Sequence, residues 1–206
     1  MKVSCVMATH DRRRFVAEAV ACFLAQTLLD SELVVVDDGA DSVADLMPAG
    51  ERVRYVRMPP KHHFCILRDY GLACAKGEYV AIFDDDDLSH ADRLAVQVAA
   101  LERSGKGLCL LASSIVTRGD ESWVYTPPAP WPLDNSACFV NRPGFRFHLD
   151  DTCYSALRAL RAAFEGDVVT VDGRPELLVT RRHGANTCQR PVGDGPEWRV
   201  LHGQAA

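Results

Sequence analysis

Apolar residues in this chain come in short unbroken runs, separated by stretches in which they recur every three or four positions. Val3 to Ala8 is apolar and β-branched, which predicts a strand. Phe15, Ala19, Cys22 and Phe23 then repeat at helical spacing to about Gln26, with Asp11 placed to cap the helix. Residues 32–36, Glu-Leu-Val-Val-Val, form a second run of the fully buried strand type. Residues 53–57 alternate and predict a half-exposed strand. Cys65 to Ala75 reads as a helix closed by Lys76-Gly77, with the glycine as a left-handed cap. Glu78 to Phe83 is a further strand. In Ala91 to Arg103, Leu94, Val98 and Leu101 share one helical face, and Ser104-Gly105 ends the helix. Gly107 to Val116 reads as one more buried strand.

Continuous apolar strands alternating with helices predict a mostly parallel α/β sheet, Rossmann-like, with helices on both faces. Beyond residue 116 the pattern changes. The proline-rich stretch 126–132 cannot be helix or central strand and reads as a stiff loop. Thr152 to Phe164 returns to helix, with Asp150 and Asp151 at its start. Residues 168–170 and 177–181 flank Asp172-Gly173, a turn signal that predicts a small C-terminal β-hairpin. From Gln189 onward the chain reads as a tail. No internal repeat is visible. One domain is expected, with residues 1–116 and 117–188 as its two parts and 189–206 trailing.

Composition narrows the classes. The 206 residues are 48% hydrophobic and 25% charged, as in ordinary globular domains. A net charge of −5 offers no basic surface for nucleic acid or anionic lipid. No uncharged stretch has membrane-spanning length, and the first residues turn polar too quickly for a signal peptide. Five of the eight cysteines, Cys5, Cys22, Cys65, Cys74 and Cys109, sit inside apolar runs, and no C-x-x-C pair occurs. Free thiols and a cytoplasmic location are the expectation.

The strand ending at Phe83 runs straight into Asp84-Asp85-Asp86-Asp87. Adjacent carboxylates repel and raise one another's pKa values, so a divalent cation is expected among them. A second acidic pair, Asp37-Asp38, also follows an apolar strand. In parallel α/β sheets, ligands bind beyond the carboxyl ends of the strands, so the two clusters could share one site. Carboxylate oxygens favour Mg²⁺ or Mn²⁺ over zinc, and Mg²⁺ typically completes its shell with water and substrate phosphates. Bland readings stand beside these. Asp37 suits a turn, Asp87 could cap the next helix, Asp150-Asp151 suits a helix start, and a lone histidine such as His183 is usually a surface residue.

Five stretches in order resemble the inverting family 2 glycosyltransferases of the GT-A fold. They are VSCVMATHDRRRFVAEAVACFLAQT, ELVVVDDGADS, LRDYGLACAKGEYVAIFDDDDLSHADRL, HLDDTCYSALR and LLVTRRHGANTCQ, which together span about residues 3–188. The resemblance implies a nucleotide-diphosphate-sugar donor, a UDP-sugar by preference, and a Mg²⁺ or Mn²⁺ cofactor. It implies Ala8, Thr9, Asp38, Arg68, Asp84 and Asp85 as nucleotide-sugar-binding residues, Asp86 and His183 at the metal, and Asp151 as catalytic base. The acceptor is not identified, and a homo-oligomer is left open. Three departures stand out. His10-Asp11 replaces the usual Tyr-Asn, Asp69 stands where asparagine usually follows the arginine, and the segment before Asp150 is short. Trp123, Trp131 and Phe139 are the aromatics that could line an acceptor wall. The alternatives are a nucleotidyltransferase of similar α/β type and a non-catalytic nucleotide-sugar-binding module. The first is disfavoured because the basic loop 9–14 contains no glycine to wrap a triphosphate.

Overall fold

A computed structural model describes residues 1–60, 62–128, 133–150, 152, 154–184, 186 and 195–202. In chain order the strands and helices are β1 (Val3–Thr9), α1 (Arg13–Leu24), β2 (Ser31–Asp37), β3 (Val53–Arg57), α2 (Phe64–Cys74), β4 (Tyr79–Ile82), β5 (Leu88–Ser89) and α3 (Arg93–Ser104). They continue with β6 (Leu108–Leu111), β7 (Ser114–Arg118), β8 (Glu121–Tyr125), β9 (Cys138–Val140), α4 (Ser155–Ala163), β10 (Val168–Val171), β11 (Leu178–Arg181) and β12 (Trp198–His202).

The main sheet has seven strands in the order β10-β6-β9-β4-β1-β2-β3. All its neighbours pair in parallel except β9, which runs antiparallel between β4 and β6. Alternating side chains divide the core between the two faces. On one, Val3, Cys5 and Met7 pack with Val16, Val20 and Phe23 of α1 and Leu94, Val98 and Leu101 of α3. On the other, Val6, Val80 and Ile82 meet Cys65 and Leu72 of α2 and Ala156, Ala159 and Leu160 of α4. The expected mostly parallel sheet with helices on both faces is therefore observed. A second sheet, β12-β8-β7-β11-β5, stands beyond the carboxyl end of β4.

Several local expectations are corrected. Asp11 does not cap α1. It takes a positive φ of 51°, and its carboxylate accepts the Asp41 amide at 3.0 Å, tying the loop after β2 to the loop after β1. Gly77 is not a left-handed cap. It is needed for close approach, since a Cβ there would lie 2.5 Å from the Ser4 nitrogen. The cap at Gly105 is as expected, with φ 67°. The single strand read over 107–116 is two strands that part into different sheets. The segment around Asp172-Gly173 is a bend, with Gly173 at a φ of 71°, and not a hairpin. β10 pairs in parallel with β6, while β11 joins β7 and β5 in the second sheet. Within the expected tail, residues 198–202 form β12, antiparallel to β8.

The aromatic wall is corrected as well. Phe139 is fully buried among Phe145, Phe147 and Phe164, and Trp123 is buried on β8 with its ring edge against Trp198. Trp131 lies outside the described residues.

Candidate functional site

The carboxyl end of β4 and the second sheet enclose a cavity of about 160 Å³ lined by all four aspartates, 84 to 87. The tetrad is held there by different partners on different sides. Asp84 pairs with Arg68 of α2, Nη2 to Oδ1 at 2.6 Å. Arg12, just before α1, places one Nη1 at 3.0 Å from both Asp85 Oδ1 and Asp86 Oδ2. Asp87 accepts from Asn135 Nδ2 at 2.8 Å and from the Arg181 amide at 3.2 Å, so it stitches β4 to β11. It does not cap α3, which starts six residues later at Arg93.

Like charges this close need compensation, and two forms of it are visible. Two arginines supply positive charge. Hydrogen bonds satisfy Asp87. Burial also pushes Asp85 up to about 7, with Arg12 opposing the shift and Asp86 adding to it, which favours the neutral acid. Burial, then Asp86 and Asp84, hold Asp87 well above the ordinary carboxylate range.

Asp86 is the meeting point of the site. Its Oδ2 lies 3.1 Å from His183 Nε2 and 3.2 Å from Asn186 Nδ2, besides the Arg12 contact. The His183 ring rests on Phe15 of α1, with centroids 4.4 Å apart, and the Arg181 guanidinium covers the same phenylalanine. Burial lowers the His183 pKa against the pull of Asp86, which favours the neutral imidazole that a metal needs.

Among the described residues no three His, Cys, Asp or Glu side chains converge as a ready-made metal cage. The donor set that is present, one carboxylate oxygen and one imidazole nitrogen beside the cavity, fits a hard divalent ion that takes its remaining ligands from phosphate and water.

The other expected residues fall into two groups. Ala8 and Arg68 line the cavity with the tetrad. Thr9 is buried at the end of β1, and the Asp38 amide donates to its carbonyl at 3.3 Å. Asp38 itself is fully buried and absent from the cavity lining. Its carboxylate lies 2.8 Å from His10 Nδ1 and accepts the His62 amide at 2.7 Å. Asp37 holds the turn, accepting from Gly39 N, Val43 N and Tyr55 Oη.

Asp69 faces away from the cavity and accepts the backbone amides of Phe147 and His148. Asp151 lies outside the described residues. Its neighbour Asp150 accepts from the Thr152 amide and hydroxyl and pairs with Arg158.

Sequence reasoning missed Arg12, Asn135, Arg182 and Tyr125 in the lining. Arg12 carried a signal, being the first of three consecutive arginines between β1 and the body of α1. Asn135 and Tyr125 carried none, because their places depend on strands that the pattern did not reveal.

Residues 4–162 match the family described as Glycosyl transferase family 2. The chain belongs to that family. Among curated relatives, WcaA of Escherichia coli K12, ascribed to colanic acid biosynthesis as a glycosyl transferase, is 29% identical over 136 residues. The match covers 64% of this chain and 48% of WcaA. This family 2 chain thus spans about half the length, or less, of the first curated relatives it matches.

Solved structures share its fold at low identity. S. aureus TarS, solved with UDP-GlcNAc, superposes with a TM-score of 0.73 at 14% identity, covering 91% of this chain and 60% of TarS. Mannosyltransferase PcManGT from Pyrobaculum calidifontis, solved with GDP-Man and Mn²⁺, gives 0.63 at 18% identity, covering 88% and 56%. The architecture is accordingly GT-A. Among the described residues no helix is long and apolar enough to cross a membrane.

Proposed function

We propose that this chain is a metal-dependent, inverting glycosyltransferase that moves a sugar from a UDP-sugar to an acceptor hydroxyl. One observation carries the reading. Asp86 and His183 lie 97 residues apart in the sequence and meet at 3.1 Å beside a cavity that Arg12 and Arg68 also line. A carboxylate and an imidazole there suit a divalent ion, and two guanidiniums suit a diphosphate.

In this reading Asp86 and His183 hold Mg²⁺ or Mn²⁺, which when bound stabilises charge developing on the diphosphate leaving group. Arg68 faces the phosphates from α2. Ala8 and Thr9 approach the ribose and base from β1, and Asp84 and Asp85 order the loop around the ribose. Asp38, a carboxylate, would accept the uracil N3–H. Asp151 takes the proton from the acceptor hydroxyl as that oxygen attacks the anomeric carbon from the face opposite the diphosphate. One displacement inverts the configuration, and no protein nucleophile takes part.

The ligands named for TarS and PcManGT support a nucleotide-diphosphate sugar as donor. A uridine donor is preferred because Asp38 can accept the imide proton.

The test is a thermal-shift series of nucleoside diphosphates with and without Mn²⁺. UDP with metal should raise the melting temperature and UDP alone should raise it little. A larger shift with GDP would overturn the uridine donor, and no shift with any diphosphate would overturn the donor site. Replacing Asp151→Asn separates catalysis from binding. Transfer should collapse while the UDP-dependent shift remains, and unchanged transfer would remove Asp151 from the mechanism.

A further inference from the structure

Arg12 occupies an unusual position for a residue outside the expected set. One Nη1 lies 3.0 Å from Asp85 Oδ1 and 3.0 Å from Asp86 Oδ2, and that second oxygen is also 3.1 Å from His183 Nε2. The side chain is 17% exposed, and it lines the cavity rather than the surface. The Asp86 oxygen that faces His183 is therefore already held by a cation belonging to the chain.

We infer that Arg12 acts as an internal counter-cation, closed on Asp85 and Asp86 while the donor is absent and drawn off by the donor's diphosphate. The inference rests on the metal-dependent donor reading above. A guanidinium and a divalent ion compete for Asp86, because two positive groups on one carboxylate repel. A diphosphate changes the balance. It brings negative charge into a cavity whose walls already carry Arg12 and Arg68, and guanidinium matches phosphate oxygens as well as it matches carboxylate.

With Arg12 turned to phosphate, Asp86 and His183 would be open to hold a divalent ion. Charge stays nearly balanced at each stage: acids against arginines without donor, then acids and phosphates against arginines and metal. The consequence is thermodynamic coupling. Metal alone binds weakly, nucleotide and metal bind together, and each raises the other's affinity by the same factor. Arg12 is thus a positioning residue for metal entry.

The experiment measures Mn²⁺ binding to the full chain by electron paramagnetic resonance of free Mn²⁺, with and without UDP. It compares the wild type, Arg12→Gln and Arg12→Lys, with each variant's folding checked by its melting curve. In the wild type UDP should tighten Mn²⁺ binding by about tenfold or more, as when the closed state outweighs the open one by that ratio. Arg12→Gln should bind Mn²⁺ alone about tenfold more tightly than the wild type and lose most of the coupling to UDP.

Arg12→Lys keeps a charge but cannot bridge two carboxylates in the same way. It should show the same change, reduced, and carries the test if the glutamine variant does not fold. If both variants bind Mn²⁺ alone no better than the wild type, while the wild type still takes Mn²⁺ with UDP, the Arg12 inference is wrong and the donor reading survives. If the wild type takes no Mn²⁺ even with UDP, the donor reading fails and the inference falls with it.

Discussion

The guanidinium of Arg93, almost wholly buried, donates to the carbonyl of Ile82 at 2.8 Å, directly beneath the acidic loop. The same group reaches Ser89 Oγ at 2.8 Å and Gln97 Oε1 at 3.2 Å, and its plane lies over the Phe83 ring. One side chain of α3 thus ties the end of β4 to β5. It also places a buried positive charge behind the tetrad, and burial lowers its own pKa. Replacing Arg93→Met keeps the length and removes the donors, leaving several buried acceptors unpaired. Leaving buried acceptors unsatisfied costs about 1–3 kcal/mol. Urea unfolding should show a stability loss of that size, read as a lower midpoint at unchanged slope. A loss below about 1 kcal/mol would mean that the acids do not depend on Arg93.

Asp86 and Asp87 are adjacent but should fail differently. Asp87 is structural, bonded to Asn135 and the Arg181 amide. Asp87→Ala should therefore lower stability by about 1–3 kcal/mol, the cost of leaving buried partners unsatisfied. Asp86→Asn keeps the shape and removes one of several crowded charges, so its melting temperature should hold or rise. Its sugar transfer should drop by about 10²-fold or more, since a metal contributes several kcal/mol to a developing charge. Melting curves and initial rates for the two variants decide it. Equal losses of stability would put both residues in the scaffold.

The parts of the fold that were legible in the sequence are those fixed by long apolar runs. The runs from Val3 and Glu32 and the helical face of Leu94, Val98 and Leu101 appear almost as read. What was not legible depends on partners far away in the chain. β9 has three residues and is a strand only because β4 and β6 lie on either side. β12 is exposed and polar in places and is ordered by β8. The Asp172-Gly173 signal is local and marks a bend between the strands, yet it could not say that they enter different sheets. The site divides in the same way. Asp84 to Asp87 announced themselves by density of charge. Arg12 as their counter-ion required knowing that the loop after β1 folds over the end of β4.

Asp69 gives a prediction for the segment leading to Asp150 and Asp151. Its two oxygens accept the Phe147 amide at 2.5 Å and the His148 amide at 3.1 Å, fixing that segment to α2. Ser155 reinforces it, donating to the Phe147 carbonyl and accepting the Leu149 amide. Asp69→Ala leaves both amides without their acceptor. Hydrogen exchange at Phe147 and His148 should accelerate by about tenfold or more, which corresponds to a lost bond of about 1.4 kcal/mol or more. Exchange in α3, which shares no bond with Asp69, should stay at the wild-type rate. If the two amides exchange no faster, the segment is held by its phenylalanines alone.

The buried thiols set the alkaline limit of the fold. Burial pushes Cys5 up to about 12 and Cys65 and Cys109 up to about 11, from an ordinary value of 9.0. At pH 8 a thiol with a pKa near 11 is thiolate in about one molecule in a thousand, so these three should resist alkylation in the native state. Among the described cysteines, Cys22 and Cys74, half buried, should be modified first. The sign for stability follows from proton binding. Above pH 9 the unfolded chain releases thiol protons that the folded chain retains, so the folded state binds more protons and loses stability as pH rises. The contribution is complete below about pH 9 and disappears as pH climbs through 11 and 12. Labelling with a thiol reagent at pH 8 and mapping the modified peptides tests the reactivity order, and urea midpoints between pH 8 and 11 test the sign. Rapid native labelling of Cys5 or Cys109, or a midpoint that rises with pH over this range, would show that the two sheet faces are not sealed as described.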